Sequence, residues 1–106
     1  MTRVVVIPAY QEAERVGAVV QRARAALPDY QIVVVDDGSR DATSSVARQA
    51  GAAVLRHPFN LGYGAALQTG YKYALRTDAS LLVQLDADGQ HDPADAIALA
   101  EPVEAG

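Results

Sequence analysis

The chain contains no cysteine in its 106 residues, which excludes disulfides and thiolate metal sites and leaves its compartment unreadable from redox chemistry. It also lacks a surplus of positive charge. Nine Lys and Arg stand against thirteen Asp and Glu, a formal net charge of -4, and the basic residues are scattered, which argues against a nucleic-acid-binding surface. A polyphosphate partner would therefore need a cation to bridge it. Long apolar runs are missing: Val4 to Ile7 is too short for the core of a signal peptide, and nothing approaches the about 18 residues that a membrane span requires. A cytosolic location is the expectation. No repeat, linker or low-complexity tract divides the chain, so residues 1–106 are expected to form one domain, with 50% hydrophobic residues to supply a modest core.

What is present is organised around one stretch, residues 80–93. Leu81, Leu82, Val83 and Leu85 read as a buried strand over 80–86, and the run ends in acid at Asp86 and Asp88. Two carboxylates at i and i+2 project to one side of an extended backbone. They repel each other unless a proton or cation lies between them, and hard oxygen ligands suit Mg²⁺ or Mn²⁺. The competing explanation is that acids after a strand initiate turns and cap helices. An EF-hand fails, because the required glycine would fall on His91 and the terminal Glu on Ile97. His91 has nothing near it at zinc-site spacing, and Asp92 with Pro93 is a good helix start.

The remaining chain alternates strand and helix. Residues 3–8 and 31–36 are continuous β-branched runs, typical of strands covered on both faces, and 53–56 is a short third strand. Helical spacing of Val16, Val19, Val20, Ala23 and Leu27 predicts a helix from Glu12 to Leu27, stopped at Pro28. Ser39 or Asp41 can cap a short helix whose inward side carries Val46, Ala47 and Ala50, with Gly51 ending it. A helix from Asn60 to about Arg76 is expected to turn Leu67, Tyr71, Ala74 and Leu75 inward. The fold class expected is α/β: a three-layer sandwich with a mostly parallel central sheet. In such sheets ligands bind beyond the carboxyl ends of the strands, near the point where strand order reverses. Each of the three long strands ends there in a polar cluster: Pro8 to Glu12, Asp36 to Ser39, and Asp86 to Asp88.

These clusters have plain readings too. Asp36-Asp37-Gly38-Ser39 can be a tight turn or can place a carboxylate against a ribose hydroxyl or base N–H. Glu12 is favourable in a first helical turn, and Tyr10 is either a half-buried aromatic or a platform for a nucleobase. Gly62 and Gly64 do not make a dinucleotide fingerprint, because Leu67 stands where the third small residue belongs; they do fit a close backbone approach at a helix start, where free N–H groups favour an anion.

Taken together, VVIPAYQE at 5–12, VVDDGS at 34–39, NLGYGAA at 60–66 running on to Gly70, and LDADGQHDP at 85–93 resemble the family 2 glycosyltransferases. The branch that looks most similar is the polyprenyl-phosphate (dolichol-phosphate) mannose or glucose synthases. The resemblance implies a Rossmann-like, nucleotide-sugar-binding half of a GT-A fold. It implies that Pro8, Ala9, Tyr10, Glu12, Asp37 and Gly64, with Asp86, hold the nucleotide of a UDP- or GDP-sugar. Asp86 and Asp88 match the family's Asp-x-Asp motif, binding Mg²⁺ or Mn²⁺ at the diphosphate and carrying the catalytic role, with Gln90 able to complete the metal shell. Gln11 replaces the more usual Asn, a change of turn chemistry more than of ligand.

The resemblance further implies a lipid-phosphate acceptor, already anionic and so needing no general base, and a location at the inner membrane face in a full-length form. The family carries a further stretch that supplies the acceptor pocket, so the expectation is a donor-binding part truncated before that half. Two other readings compete: a noncatalytic nucleotide-binding or assembly module, and a receiver-like signalling domain built on Asp36 and Asp37. An Asp-x-Asp phosphatase of the haloacid-dehalogenase type fits less well at Gln90. An open sheet edge could also be covered by a second copy of the chain.

Overall fold

The computed structural model describes residues 2–88 and the backbone of 101–102. Five strands form one sheet: β1 (Thr2–Ala9), β2 (Gln31–Asp36), β3 (Ala53–Arg56), β4 (Ala79–Gln84) and β5 (Glu101–Pro102), in the order β3-β2-β1-β4-β5. The first four are mutually parallel; β5 runs antiparallel to β4, pairing Leu82 with Glu101. The expected mostly parallel sheet is therefore present, with an antiparallel edge that the residue pattern did not announce. The helix expected from Asp92 and Pro93, together with Gln90 and His91, lies outside the described residues.

The central strands are apolar throughout because both faces are covered. Val5, Ile7, Val34 and Val83 face α1 (Val16–Ala26) and α2 (Thr43–Ala50), while Val4, Val6, Val33, Val35 and Leu82 face α3 (Tyr63–Arg76). Alternate side chains thus feed two cores, and no position on β1 from Val4 to Ile7 reaches solvent.

Three expectations need correction. First, α1 begins at Val16, not Glu12; residues 12–15 form a turn in which the Glu12 carbonyl accepts from the N–H groups of Arg15 and Val16. The preceding N–H groups are drawn away by the β2–α2 loop: Gln11 donates to Ser39 Oγ, Glu12 to Thr43 Oγ1 and Ala13 to Asp41 Oδ2. Second, Ser39 does not cap α2, which starts four residues later; Asp41 Oδ1 accepts the Thr43 N–H instead, and the buried side includes Thr43 and Ser44 besides Ala47 and Ala50.

Third, of the residues expected on the inward side of α3 only Ala74 is fully buried. Ala66, Gly70 and Ala74 are buried, whereas Tyr71 and Leu75 are 42% and 49% exposed and Leu67 is half-buried. A methyl group built on Gly70 would stand 2.4 Å from Val6 Cγ1, so helix and central strand meet too closely for large side chains. Hydrophobicity alone selected the large residues; the helix-to-sheet distance selects the small ones.

Candidate functional site

The order β3-β2-β1-β4 reverses between β1 and β4, since the chain adds β2 and β3 on one side of β1 and then returns to its other side. The crevice beyond the carboxyl ends of β1 and β4 is the place where such sheets bind ligands. Pro8 and Ala9 close β1, Asp36 closes β2, and Leu85 extends β4 by donating its N–H to the Val6 carbonyl before the chain turns at Ala87 and Asp88.

Two cavities open there, each of about 400 Å³. One is mostly apolar and is lined by Pro8, Ala9, Tyr10, Asp37, Asn60, Gly62, Tyr63 and Ala66. The other is lined by Pro8, Tyr10, Glu12, Tyr63, Asp86, Ala87 and Asp88. They share Pro8, Tyr10 and Tyr63, so a ligand spanning both would run along these three residues, of which the two tyrosines are 46% and 55% exposed. Ala87 is buried in the core beneath β4, which leaves Asp86 and Asp88 on the cavity side of the turn.

Asp37 is the most heavily bonded side chain of the site. It is 3% exposed, and its carboxylate accepts from His57 Nδ1 at 2.7 Å, the Leu61 and Gly62 N–H groups at 2.9 Å each, and Asn60 Nδ2 at 3.1 Å. Burial alone would raise its pKa. The hydrogen bond to His57 and those from the Leu61 and Gly62 amides outweigh burial and hold the carboxyl below its ordinary value. His57 passes the contact on through Nε2 to Thr69 Oγ1 on α3 at 2.7 Å. Gly38 is in the left-handed region at φ 76°, and a side chain there would strike the backbone of Phe59 and Asn60, so the loop lies directly on the turn after β2.

Asp36 is fully buried and plays a different part. It accepts the Ser39 N–H at 2.9 Å and the Ser44 hydroxyl, with Arg56 Nη1 at 3.6 Å. These bonds tie β2, α2 and β3 together below the site. Ser44→Ala is expected to cost about 1–2 kcal/mol, the loss of one buried bond to a charged acceptor, read as a lower denaturant midpoint with unchanged slope. Gln11 adopts φ 57°, a conformation in which Asn is several-fold enriched, and its Oε1 accepts the Arg40 N–H at 2.8 Å. Its departure from the usual Asn is thus met by turn chemistry, as expected.

The structure brings together Pro8, Ala9, Tyr10, Glu12, Asp37, Asp86 and Asp88. Gly64 lines neither of these cavities; Gly62 and Ala66, on the turn before and after it, do. Gln90 lies outside the described residues. The residue pattern passed over Tyr63, Asn60 and His57. The available signal for Tyr63 was a large aromatic at the first position of a helix, directly after a glycine. Its hydroxyl accepts from Gln84 Nε2. Burial first, then the nearby negative charge of Asp86, raises the phenol above its ordinary pKa.

The carboxylate cavity fits a hard divalent cation. Among the described residues Glu12, Asp86 and Asp88 line it with no basic side chain, and their charged donors are oxygens, the set that Mg²⁺ and Mn²⁺ prefer. Among the described residues no cluster of three or more metal-ligating side chains closes around a point, so such an ion would keep positions for water and for oxygens of a ligand.

The sequence model of Glycosyl transferase family 2 matches residues 4–106. The chain belongs to this family. It is 39% identical over 108 residues to a polyprenol monophosphomannose synthase of Mycolicibacterium smegmatis, covering 96% of this chain and 41% of that protein. An undecaprenyl-phosphate mannosyltransferase of Micrococcus luteus is 34% identical over 93 residues, covering 83% and 38%. Among solved structures, a glucosyl-3-phosphoglycerate synthase of Mycobacterium tuberculosis in complex with Mn²⁺, UDP and glucosyl-3-phosphoglycerate is 26% identical, with a TM-score of 0.66 over 81% of this chain and 33% of that one.

A mannosyltransferase of Pyrobaculum calidifontis, in complex with GDP-Man and Mn²⁺, shares the fold at a TM-score of 0.76 over 91% of this chain and 30% of that one, with 24% identity. The chain therefore spans about two fifths of the curated relatives it matches. Its fold is the α/β, mostly parallel arrangement of the GT-A glycosyltransferases. The receiver-like alternative falls with the family match, and both of its candidate acids are buried and bonded. No helix among the described residues is long and apolar enough to cross a membrane.

Proposed function

We propose that this chain is the donor-binding part of a glycosyltransferase that holds a UDP- or GDP-sugar through Mg²⁺ or Mn²⁺ for transfer of a hexose to an acceptor such as a polyprenyl phosphate at the cytoplasmic face of a membrane. One observation carries the reading: a mostly apolar cavity and a carboxylate-lined cavity meet at the strand-order switch between β1 and β4, sharing Pro8, Tyr10 and Tyr63. The nucleoside enters the first, where Tyr10 and Tyr63 offer ring faces and Asp37 fixes the Asn60 and Gly62 part of the lining. The diphosphate enters the second, where three carboxylates would repel it in the absence of a cation.

Asp86 and Asp88 would hold the metal, whose chemistry is to neutralise the charge that develops on the departing nucleoside diphosphate. The protein's own part is to fix those two carboxylates at the end of β4 and to orient the nucleoside from β1 and β2. The relatives named for lipid-phosphate mannose transfer support the acceptor class.

Calorimetry with UDP- and GDP-sugars, with and without Mn²⁺, tests this. Metal-dependent binding of at least one donor is expected, and Asp88→Asn is expected to weaken the metal-dependent part by about tenfold or more, since a lost metal contact removes several kcal/mol of charge stabilisation. Absence of binding under every condition, in protein shown to be folded by circular dichroism, would sink the reading. In a second reading the chain binds the donor without transferring the sugar. Sugar transfer or metal-dependent donor hydrolysis by the purified chain rejects that alternative.

A further inference from the structure

The apolar cavity takes four of its eight lining residues, Asn60, Gly62, Tyr63 and Ala66, from one stretch that runs from the end of β3 into α3. A single side chain closes that stretch. His57, just past β3 and 8% exposed, donates through Nδ1 to Asp37 at 2.7 Å, and its Nε2 stands 2.7 Å from Oγ1 of Thr69, twelve residues further on in α3. An ionised carboxylate can only accept, so the hydrogen of the first bond sits on Nδ1. Both ends of the clasp are themselves anchored. The His57 N–H donates to the Asp36 carbonyl at 2.9 Å, and Thr69 Oγ1 lies 3.1 Å from the Ala65 carbonyl. Asp37, for its part, has little left to offer a ligand: Oδ1 accepts from His57 and Leu61 and Oδ2 from Asn60 and Gly62, which fills the about four acceptor sites of a carboxylate. Its part at the cavity is to hold the wall in place.

We infer that His57 is a positioning residue for the nucleoside: its imidazole clasps the two ends of segment 57–69 and, through Asp37, fixes the Asn60 to Gly62 wall, so that nucleoside affinity depends on a side chain that lines neither cavity. The inference rests on the reading of the apolar cavity as the place of the nucleoside. Its energetic basis is preorganisation. A loop pinned at both ends has already lost its conformational freedom in the folded chain, so a ligand does not lose it again on binding. The clasp is not required to dock α3, because the close approach of Gly70 to Val6 already sets that helix against the central strand. What the His57 to Thr69 contact adds is a fixed distance between the start of the loop and the helix that carries Tyr63 and Ala66.

Thr69→Val keeps the shape of the side chain and removes its hydroxyl, Thr69→Ser keeps the hydroxyl, and His57→Ala removes the clasp outright. For each, and for the double variant, folding is checked by circular dichroism, and calorimetry reads the Kd for UDP and GDP at saturating Mn²⁺ and the Mn²⁺ half-point at saturating nucleotide. Thr69→Val is expected to raise the Kd of the tighter nucleotide by about three- to tenfold, the worth of one hydrogen bond, while Thr69→Ser stays within about twofold of wild type. The Mn²⁺ half-point should not move in either, since the carboxylates line the other cavity. In the His57→Ala chain the Thr69→Val change should cost no further affinity, because the hydroxyl acts through the imidazole. A Thr69→Val chain with wild-type Kd values overturns the inference and leaves the donor-site reading standing, and so does a loss equally large with and without His57. A mere brace for α3 would lower the melting temperature of Thr69→Val and leave its Kd unchanged, which is the same refutation. Where His57→Ala fails to fold, the contrast between Thr69→Val and Thr69→Ser decides. A wild-type chain that binds neither nucleotide overturns the donor-site reading and the inference together.

Discussion

Asp37→Ala is expected to destabilise the protein by about 3 kcal/mol or more, since it removes a buried carboxylate shared by several donors and each buried donor left unpaired costs about 1–3 kcal/mol. The loss is large because the carboxylate is the common acceptor for His57, Asn60 and the Leu61 and Gly62 amides, and alanine leaves all four donors without it. Asp37→Asn should cost less, about 1–3 kcal/mol, because it keeps the volume and one acceptor oxygen but turns an amide donor toward other donors. Urea unfolding at pH 7 measures both.

The same bonds give the pH dependence its sign. The folded-state pKa of Asp37 lies below its unfolded value, so its stabilisation is fully present above the unfolded value and is lost as pH falls through the folded one. The gap between wild type and Asp37→Asn should therefore narrow on acidification below the ordinary carboxylate range. A gap that widens there would contradict the assignment. Because the Asn60–Tyr63 segment rests on this carboxylate, nucleotide affinity should fall with stability in both variants.

Gly70→Val should rank with Asp37→Ala among the most damaging single changes. The helix crosses the sheet where Val6, fully buried on the central strand, has a methyl 2.4 Å from where a Cβ on residue 70 would lie. Alanine already forces a shift; overpacking of this kind costs about 1–3 kcal/mol, offset by about 1 kcal/mol of improved helix propensity. Valine adds two methyl groups and exceeds about 3 kcal/mol, beyond the usual overpacking range. Thermal or denaturant melts of Gly70→Ala with and without Val6→Ala provide the check: the second substitution should cost less in the Gly70→Ala chain than in the wild type, since it removes the clashing methyl. Additive losses would show that the contact is not the cause.

Apart from the β5 edge the strands were legible, β1 and β2 because each is a short β-branched run bounded by turn residues and buried on both faces, and β3 and β4 as short apolar runs. Helix faces were less so. On α3 the hydrophobic pattern favoured Leu67, Tyr71, Ala74 and Leu75, yet of these only Ala74 is fully buried and Ala66 and Gly70 meet the sheet beside it, because what a helix buries depends on how near its neighbour lies. The start of α1 was misjudged for a related reason. Ser39, Asp41 and Thr43, 28 to 31 residues away, bond the N–H groups of residues 11–13 that a longer helix would have left at its own end.

At the site, the chemistry of each residue was local and its company was not. Asp86, Asp88, Tyr10 and Glu12 declared themselves as polar groups at strand ends, and four motifs in order pointed to a nucleotide-sugar site in family 2. That much the sequence determined by itself, since strand ends in a parallel sheet must gather at one edge. Only the tertiary structure decided that Asp37 would be bound by the loop before α3, that Gly62 and not Gly64 would face the ligand space, and that Tyr63 would line both cavities. These are contacts between segments more than twenty residues apart. No local pattern encodes them, because they are set by where α3 lands on the sheet, and that is fixed by the close approach at Gly70.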